Sequence, residues 1–141
     1  MFTEDEIAYI HSQPLARIAT VSPDGQPDVA PVEFEFDGHH LYVGGITLTR
    51  TRKYRNVRNG QEKVALVIDD LAALQPWTPR FLRVHGTAEI TRREGAVLGF
   101  GPYLQISPTT SWSWNLSGTP ITDAETAKSI PTRRTEHAPV G

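Results

Sequence analysis

From Ala16 to Ile90 the chain repeatedly alternates apolar and polar residues with a period of two, and Pro, Gly and Asp break the alternation every few residues. Strand side chains point alternately to opposite faces, and short turns bring consecutive strands together antiparallel. Ala16 to Val21 leads into a turn at Pro23, Asp24 and Gly25. The return strand, Asp28 to Phe36, sets Ala30, Val32, Phe34 and Phe36 on one face and Val29, Pro31, Glu33 and Glu35 on the other. Pro31 predicts an edge or a bulge there. A second turn at Asp37 and Gly38 and a strand over Leu41 to Val43 complete a three-stranded meander. Val64 to Ile68 reads as a buried strand ended by Asp69 and Asp70, residues 71 to 79 as a loop, and Phe81 to Ile90 as a further strand. Two more strands meet at Pro108 between Tyr103 and Leu116, with Trp112 and Trp114 on one face. Six or seven short antiparallel strands with few helices make the chain mainly β, a small barrel.

Three helices are expected. Thr3 precedes Glu6 at capping-box spacing, with Phe2 and Ile7 placed as a hydrophobic staple, and predicts a helix over Glu4 to His11. The segment from Thr49 to Asn59 reads as a second helix stopped by Asn59 and Gly60, and Thr91 to Gly99 as a short third. A length of 141 residues makes one domain. Its barrel covers residues 1 to 116. The last 25 residues hold no Phe, Tyr or Trp and only three of Ile, Leu or Val, so 117 to 141 are expected as a flexible tail, or as a segment that docks on a partner. Such a barrel is thin-walled for its length, which predicts a second copy covering apolar surface and the tryptophans.

The chemistry concentrates in nine residues. Arg50 to Arg58 carry five of the fourteen basic side chains, and no Asp or Glu occurs between Asp37 and Glu62. Read alone, this is a solvated helix face or a site for an anion. Confined to one element of a chain of net charge −2, the surplus favours capture of a phosphate over a nucleic-acid surface. With no cysteine there is neither a disulfide framework nor a thiolate metal site. Nothing approaches the run of about 20 apolar residues that a membrane span needs, so a cytoplasmic, soluble chain is expected. The five histidines form no ligand set, so no metal is expected; Ser22, Ser107 and Ser111 lack a neighbouring base for a serine triad.

An ordered series of segments carries a resemblance. It comprises Leu15 to Val21, the Pro23-Asp24-Gly25 turn, Ala30 to Phe34, Tyr42 to Gly45, Arg52 to Val57, Val64 to Asp70, Gly86 to Glu89, and Ile106 to Pro108 followed by Ser111 and Trp112. Taken together, these resemble the pyridoxamine 5'-phosphate oxidase-like split β-barrels, and more closely their branch of flavin/deazaflavin oxidoreductases that use F420. The resemblance implies a split β-barrel, a homodimer with the cofactor cleft between subunits, and F420 as cofactor, with FMN as the alternative. It implies that Arg52 and Lys53 bind phosphate or the polyglutamate-bearing tail, helped by Thr49, Thr51 and Asn56. Ile18, Ala19 and Thr20 would face the ring, the backbone of Pro31, Val32 and Glu33 would meet its pyrimidine edge, and Trp77 and Trp112 would cover ring or substrate from the partner subunit. Gln105, Thr109, Thr110 and Ser113-Trp114-Asn115 depart from the pattern near the substrate side.

The expected activity is transfer of a hydride from reduced F420 to an electron-poor enone or quinone. The alternatives are an FMN-binding oxidase or reductase, and a barrel that binds a cofactor without turnover. No general acid or base stands out, which fits chemistry carried by a cofactor.

Overall fold

The capping signature at Thr3 forms the box its spacing predicts. In a computed structural model of the chain, which describes residues 1–139, α1 spans Glu4–Ser12. The Thr3 hydroxyl accepts from the Glu6 N–H, and the Glu6 carboxylate accepts from the Thr3 N–H. Phe2 is buried, and Ile7 packs against the core. Glu6 does more than cap: its carboxylate is 1% exposed and accepts the Ser113 hydroxyl at 2.6 Å, fastening the helix to a residue 107 positions further along the chain.

The strands are β1 (Ala16–Val21), β2 (Pro27–Val32), β3 (Glu35–Phe36), β4 (Leu41–Val43), β5 (Lys63–Ala73), β6 (Thr78–Gly95), β7 (Gly99–Trp114) and β8 (Arg133–Glu136). They form one antiparallel sheet in the order β2-β1-β5-β6-β7-β4-β3, with β8 also paired to β7. Eight strands replace the six or seven expected: Glu33 and Phe34 split the predicted Asp28 to Phe36 strand, the two expected between Tyr103 and Leu116 are one, and β8 comes from the segment expected as a tail. The first three predicted strands are therefore not a meander: β2 pairs with β1 at one end of the sheet, while β3 pairs with β4 at the other. Only two residues link β2 to β3, so the ends of the sheet must approach each other. The sheet closes into a barrel with a seam between its end strands. Ile18, Leu66, Leu82, Val84, Leu104 and Ile106 point inward and build the core.

Three further expectations are corrected. Asp69 and Asp70 do not end a strand, since β5 runs on to Ala73 with Asp69 opposite Phe81 and Asp70 opposite Arg80. The predicted helix over Thr91 to Gly99 does not form. Arg92 instead lies 5.3 Å from the Phe100 ring and Arg93 3.9 Å from Tyr42, so cross-strand partners extend β6 to Gly95. The two strands expected to meet at Pro108 are the single β7. His85 pairs with Thr110 and Gly86 with Pro108, so Thr109 bulges out. Next to a bulge a proline has no ladder bond to lose. Beyond the bulge β7 changes partner, from β4 at Leu104–Ile106 to β8 at Thr110–Ser113.

The segment expected as a flexible tail holds α3 (Ala124–Ser129) and β8. It gains its order from the barrel, having no core of its own. β8 adds to the β7 edge, the Trp114 indole N–H donates to the Ile130 carbonyl at 3.2 Å, and His137 meets the Ser111 hydroxyl at 2.8 Å and the Phe2 ring at 4.5 Å. Among the described residues, no helix is long and apolar enough to cross a membrane.

One polar cluster ties α1 to the sheet. Asp70 accepts from Tyr9 at 2.8 Å, from two Arg80 nitrogens at 2.8 and 2.9 Å, and from Gln13 at 3.1 Å. The Arg80 hydrogen bond holds the Asp70 carboxyl below its ordinary range, and Tyr9 reinforces this against partial burial. A depressed folded value means that this stability is present above the ordinary carboxylate range and is lost as pH falls through the depressed value. Asp70→Asn is expected to cost roughly 1–2 kcal/mol at neutral pH, and to remove part of the acid-side loss of stability. Urea unfolding of both proteins at pH 7 and at about pH 3, below the ordinary carboxylate range, checks this.

Candidate functional site

The basic segment folds as a single 3-10 turn, Leu48–Arg50, followed by α2, Arg52–Arg58. Thr51 is the N-cap: its hydroxyl accepts from the Tyr54 N–H at 3.3 Å and donates to the Leu48 carbonyl at 2.6 Å. Gly60, at φ +96°, ends the segment in a conformation that suits glycine. Helical spacing sorts the side chains. Lys53, Asn56 and Val57, at i, i+3 and i+4, share the side turned toward the barrel, while Arg52, Arg55 and Arg58 are exposed.

Lys53 lies beside the seam. Together with Thr51 and Thr47 it faces Pro31, Val32 and Glu33 across a groove of about 190 Å³, with Gly44 and Gly45 at its base. As an end strand, β2 has only β1 as a neighbour, so one side of its backbone is free toward this groove. Gly44 is required there, because a Cβ would lie 2.5 Å from the Tyr103 ring. Desolvation lowers the pKa of Lys53, and Asp28 offsets part of the shift. Asp28 also faces Arg52, with Nε–Oδ1 at 4.0 Å. A half-buried ammonium beside two threonines and a free strand edge can take a phosphate or another anion, which would restore the solvation that burial removed.

Of the residues expected in the site, the structure brings together Pro31, Val32, Glu33, Thr51 and Lys53, with Arg52 on the adjoining exposed face of α2. Others stand apart. Asn56 is 3% exposed, and its amide donates to the Thr20 hydroxyl at 2.9 Å, so both side chains dock α2 onto β1. Ile18 points into the core at 1% exposure and cannot face a ring outside the barrel. Thr49 is exposed in the 3-10 turn, outside the groove lining. Thr51 spends its hydroxyl proton on the Leu48 carbonyl and keeps only acceptor capacity.

Ala19 opens onto a second groove, on the outer face of the sheet. It measures about 480 Å³, and its lining includes Ala19, Ala65, Lys63, His85, Thr87 and Thr109. Strand register makes this floor: Ala19 lies opposite Ala65, Ala65 opposite His85, and His85 opposite Thr110. His85, read in the sequence only as a mid-strand residue, packs edge-on against Trp112 at 4.7 Å, and Arg83 lies 4.4 Å from the same indole. Trp77 sits in the β5–β6 turn, where its carbonyl accepts from Ile121. Within one chain neither tryptophan lines the Lys53 groove. The alternation around Val84 and Gly86 signals that His85 faces outward, but the register that sets it beside two alanines is not readable along the chain.

Similarity to known proteins follows the same outline. The pyridoxamine 5'-phosphate oxidase family profile matches residues 2–105. A 5a,11a-dehydrotetracycline/5a,11a-dehydrooxytetracycline reductase from Streptomyces rimosus is 34% identical over 122 residues, covering 83% of this chain and 85% of that one. A solved F420 reductase superposes with a TM-score of 0.54 at 25% identity, over 70% of this chain and 90% of that one. A conserved hypothetical protein from Mycobacterium tuberculosis shares the fold across 100% of this chain and 93% of its own, with a TM-score of 0.64 at 19% identity.

Proposed function

The chain belongs to the pyridoxamine 5'-phosphate oxidase family, and from that premise we propose that it is a reductase using reduced F420 to deliver a hydride to an electron-poor enone or quinone. The observation that carries this reading is Lys53: a desolvated ammonium held in a groove against the free edge of β2. Lys53 would hold the phosphate of the cofactor, and Arg52 would add a forked contact. The exposed Arg50, Arg55 and Arg58 extend the positive surface for a longer anionic tail, which favours F420 over FMN. The edge of β2 offers carbonyls and N–H groups to a flat polar ring, except at Pro27 and Pro31, which have no N–H.

When bound, the cofactor supplies the hydride. The protein binds it, orients it and keeps water from the acceptor. The relative described as a dehydrotetracycline reductase supports an unsaturated acceptor, because a reductase of a dehydro compound adds hydrogen across an unsaturated bond. A second copy of the chain would close the cleft, its Trp77 and Trp112 covering the ring or the substrate. Fluorescence titration of cofactor-free protein with F420 and with FMN, at one ionic strength, tests the reading. Micromolar F420 binding with weaker FMN binding is expected. Preference for FMN would move the protein to flavin chemistry, and binding of F420 with no turnover across an enone and quinone panel would make it a carrier.

A further inference from the structure

We propose that Asp28 is a charge-selecting residue of the anion site, penalising a doubly charged phosphomonoester more than a singly charged phosphodiester; this rests on the reading of Lys53 and Arg52 as the phosphate contacts. Its placement follows from how α2 lies on the sheet. Asn56 bonds Thr20 on β1, and the residue opposite Thr20 on β2 is Asp28. One turn back from Asn56 stand Arg52 and Lys53, at i−4 and i−3, so the helix that docks on Thr20 brings both cations toward Asp28. Arg52 lies 4.0 Å from the Asp28 carboxylate, longer than a hydrogen bond. Burial disfavours the ammonium form of Lys53, and the Asp28 charge offsets part of that. The Asp28 side chain is 33% exposed and belongs to the less exposed row of β2 with Ala30 and Val32, so its charge is held at the site. Glu33 also lines the groove, but it is exposed, where water and salt screen it more.

A carboxylate beside two phosphate-binding cations looks like a defect, and its effect depends on the charge of the ligand. Lys53, Arg52 and Asp28 together carry one unit of positive charge, which a diester phosphate neutralises. A monoester brings close to two negative charges near neutral pH and meets the same carboxylate at twice the repulsion. For charges a few ångströms apart at a partly solvated site, this repulsion is on the order of fivefold in binding constant for each unit of phosphate charge. F420 carries its phosphate as a diester and FMN as a monoester. Asp28 therefore costs the first one such factor and the second two, which shifts the choice between them by about fivefold toward F420. Specificity obtained by penalising the wrong ligand needs no added contact to the right one.

Three flavins that share one ring system test this by equilibrium titration at pH 8, where a phosphomonoester is fully ionised. They are FMN, the diester riboflavin 4',5'-cyclic phosphate, and riboflavin, which has no phosphate. Asp28→Asn keeps the shape and removes the charge. It should bind FMN about 25-fold and the cyclic diester about fivefold more tightly than wild type, with riboflavin changed less than twofold. Asp28→Glu keeps the charge and should leave the ratio of the two esters within twofold of wild type. An unchanged ratio in Asp28→Asn, or an equal change for all three flavins, would overturn the role of Asp28. So would an Asp28→Glu protein that behaves like Asp28→Asn. Binding of neither ester by wild type or Asp28→Asn would overturn the anion site and the role of Asp28 with it. A wild-type chain that binds both esters but not F420 would overturn the reductase reading instead. The flavin comparison still decides Asp28 in that case, because it contains no F420.

Discussion

Lys53→Ala is expected to weaken binding of the phosphate-bearing cofactor by roughly ten- to hundredfold, the worth of one hydrogen bond to a charged group. The position of Lys53, more than its charge, sets this size. It is half-buried beside Thr51 and faces the β2 edge, whereas Arg52 is exposed and already near Asp28. Arg52→Ala should therefore cost less than Lys53→Ala, and the gap should widen as salt rises, because exposed charges are screened more than buried ones. Isothermal titration at two salt concentrations measures both. Equal losses for the two variants would return the site to a diffuse basic face. Folding should be unaffected, since burial lowers the pKa of Lys53 and so works against its charged form in the unliganded protein.

The largest effect on stability is expected from Glu6→Ala, about 3 kcal/mol, summed from a lost cap and buried donors left without an acceptor. Glu6 receives the Thr3 N–H and the Ser113 hydroxyl, and Arg133 lies 3.9 Å away. Thermal unfolding should show a midpoint lower by about 10 °C, from the usual shift for a chain of this size. Glu6→Gln keeps one acceptor oxygen, for the Thr3 N–H, while its amide nitrogen can donate to a Ser113 hydroxyl that turns to accept, and should recover part of the loss. If Glu6→Ala melts with wild type, the buried carboxylate is a local cap only and does not fasten α1 to β7.

Glu6 also shows where sequence reading stops. Its capping role is legible, because Thr3 and Glu6 stand three residues apart, but its burial against Ser113 depends on a contact between residues far apart in sequence. The same limit runs through the site. The composition of the segment from Arg50 to Arg58 leaves a solvated helix face and an anion site both open, and the expected helix, Thr49 to Asn59, starts three residues before α2 and ends one after it. Which of its side chains turn inward depends on how α2 docks. Asn56 has the chemistry of a ligand contact yet serves as the dock itself, bound to Thr20. In strands, alternation gives two faces but does not say which is inside. Ile18 and Ala19 therefore looked equally eligible for the ring, and only Ala19 faces outward. Proline misled for a related reason: Pro108 looks like a break between two strands, but it lies beside a bulge within β7.

The seam where β2 and β3 meet has a bearing on how such a protein can change. The proposed recognition by Lys53, Arg52 and the edge of β2 would draw on few side chains of the central core, Val32 and Leu48 being the two that line the groove. Substitutions at Arg52, Lys53, Arg55 and Arg58 would therefore alter which anion is held without opening a void in the barrel wall, whereas Asn56 and Val57 of the same helix belong to the packing. Foldability and ligand choice would then be inherited on largely separate sets of residues, so a lineage could exchange one ligand for another by rewriting the outward positions of a seven-residue helix while the scaffold stays constant.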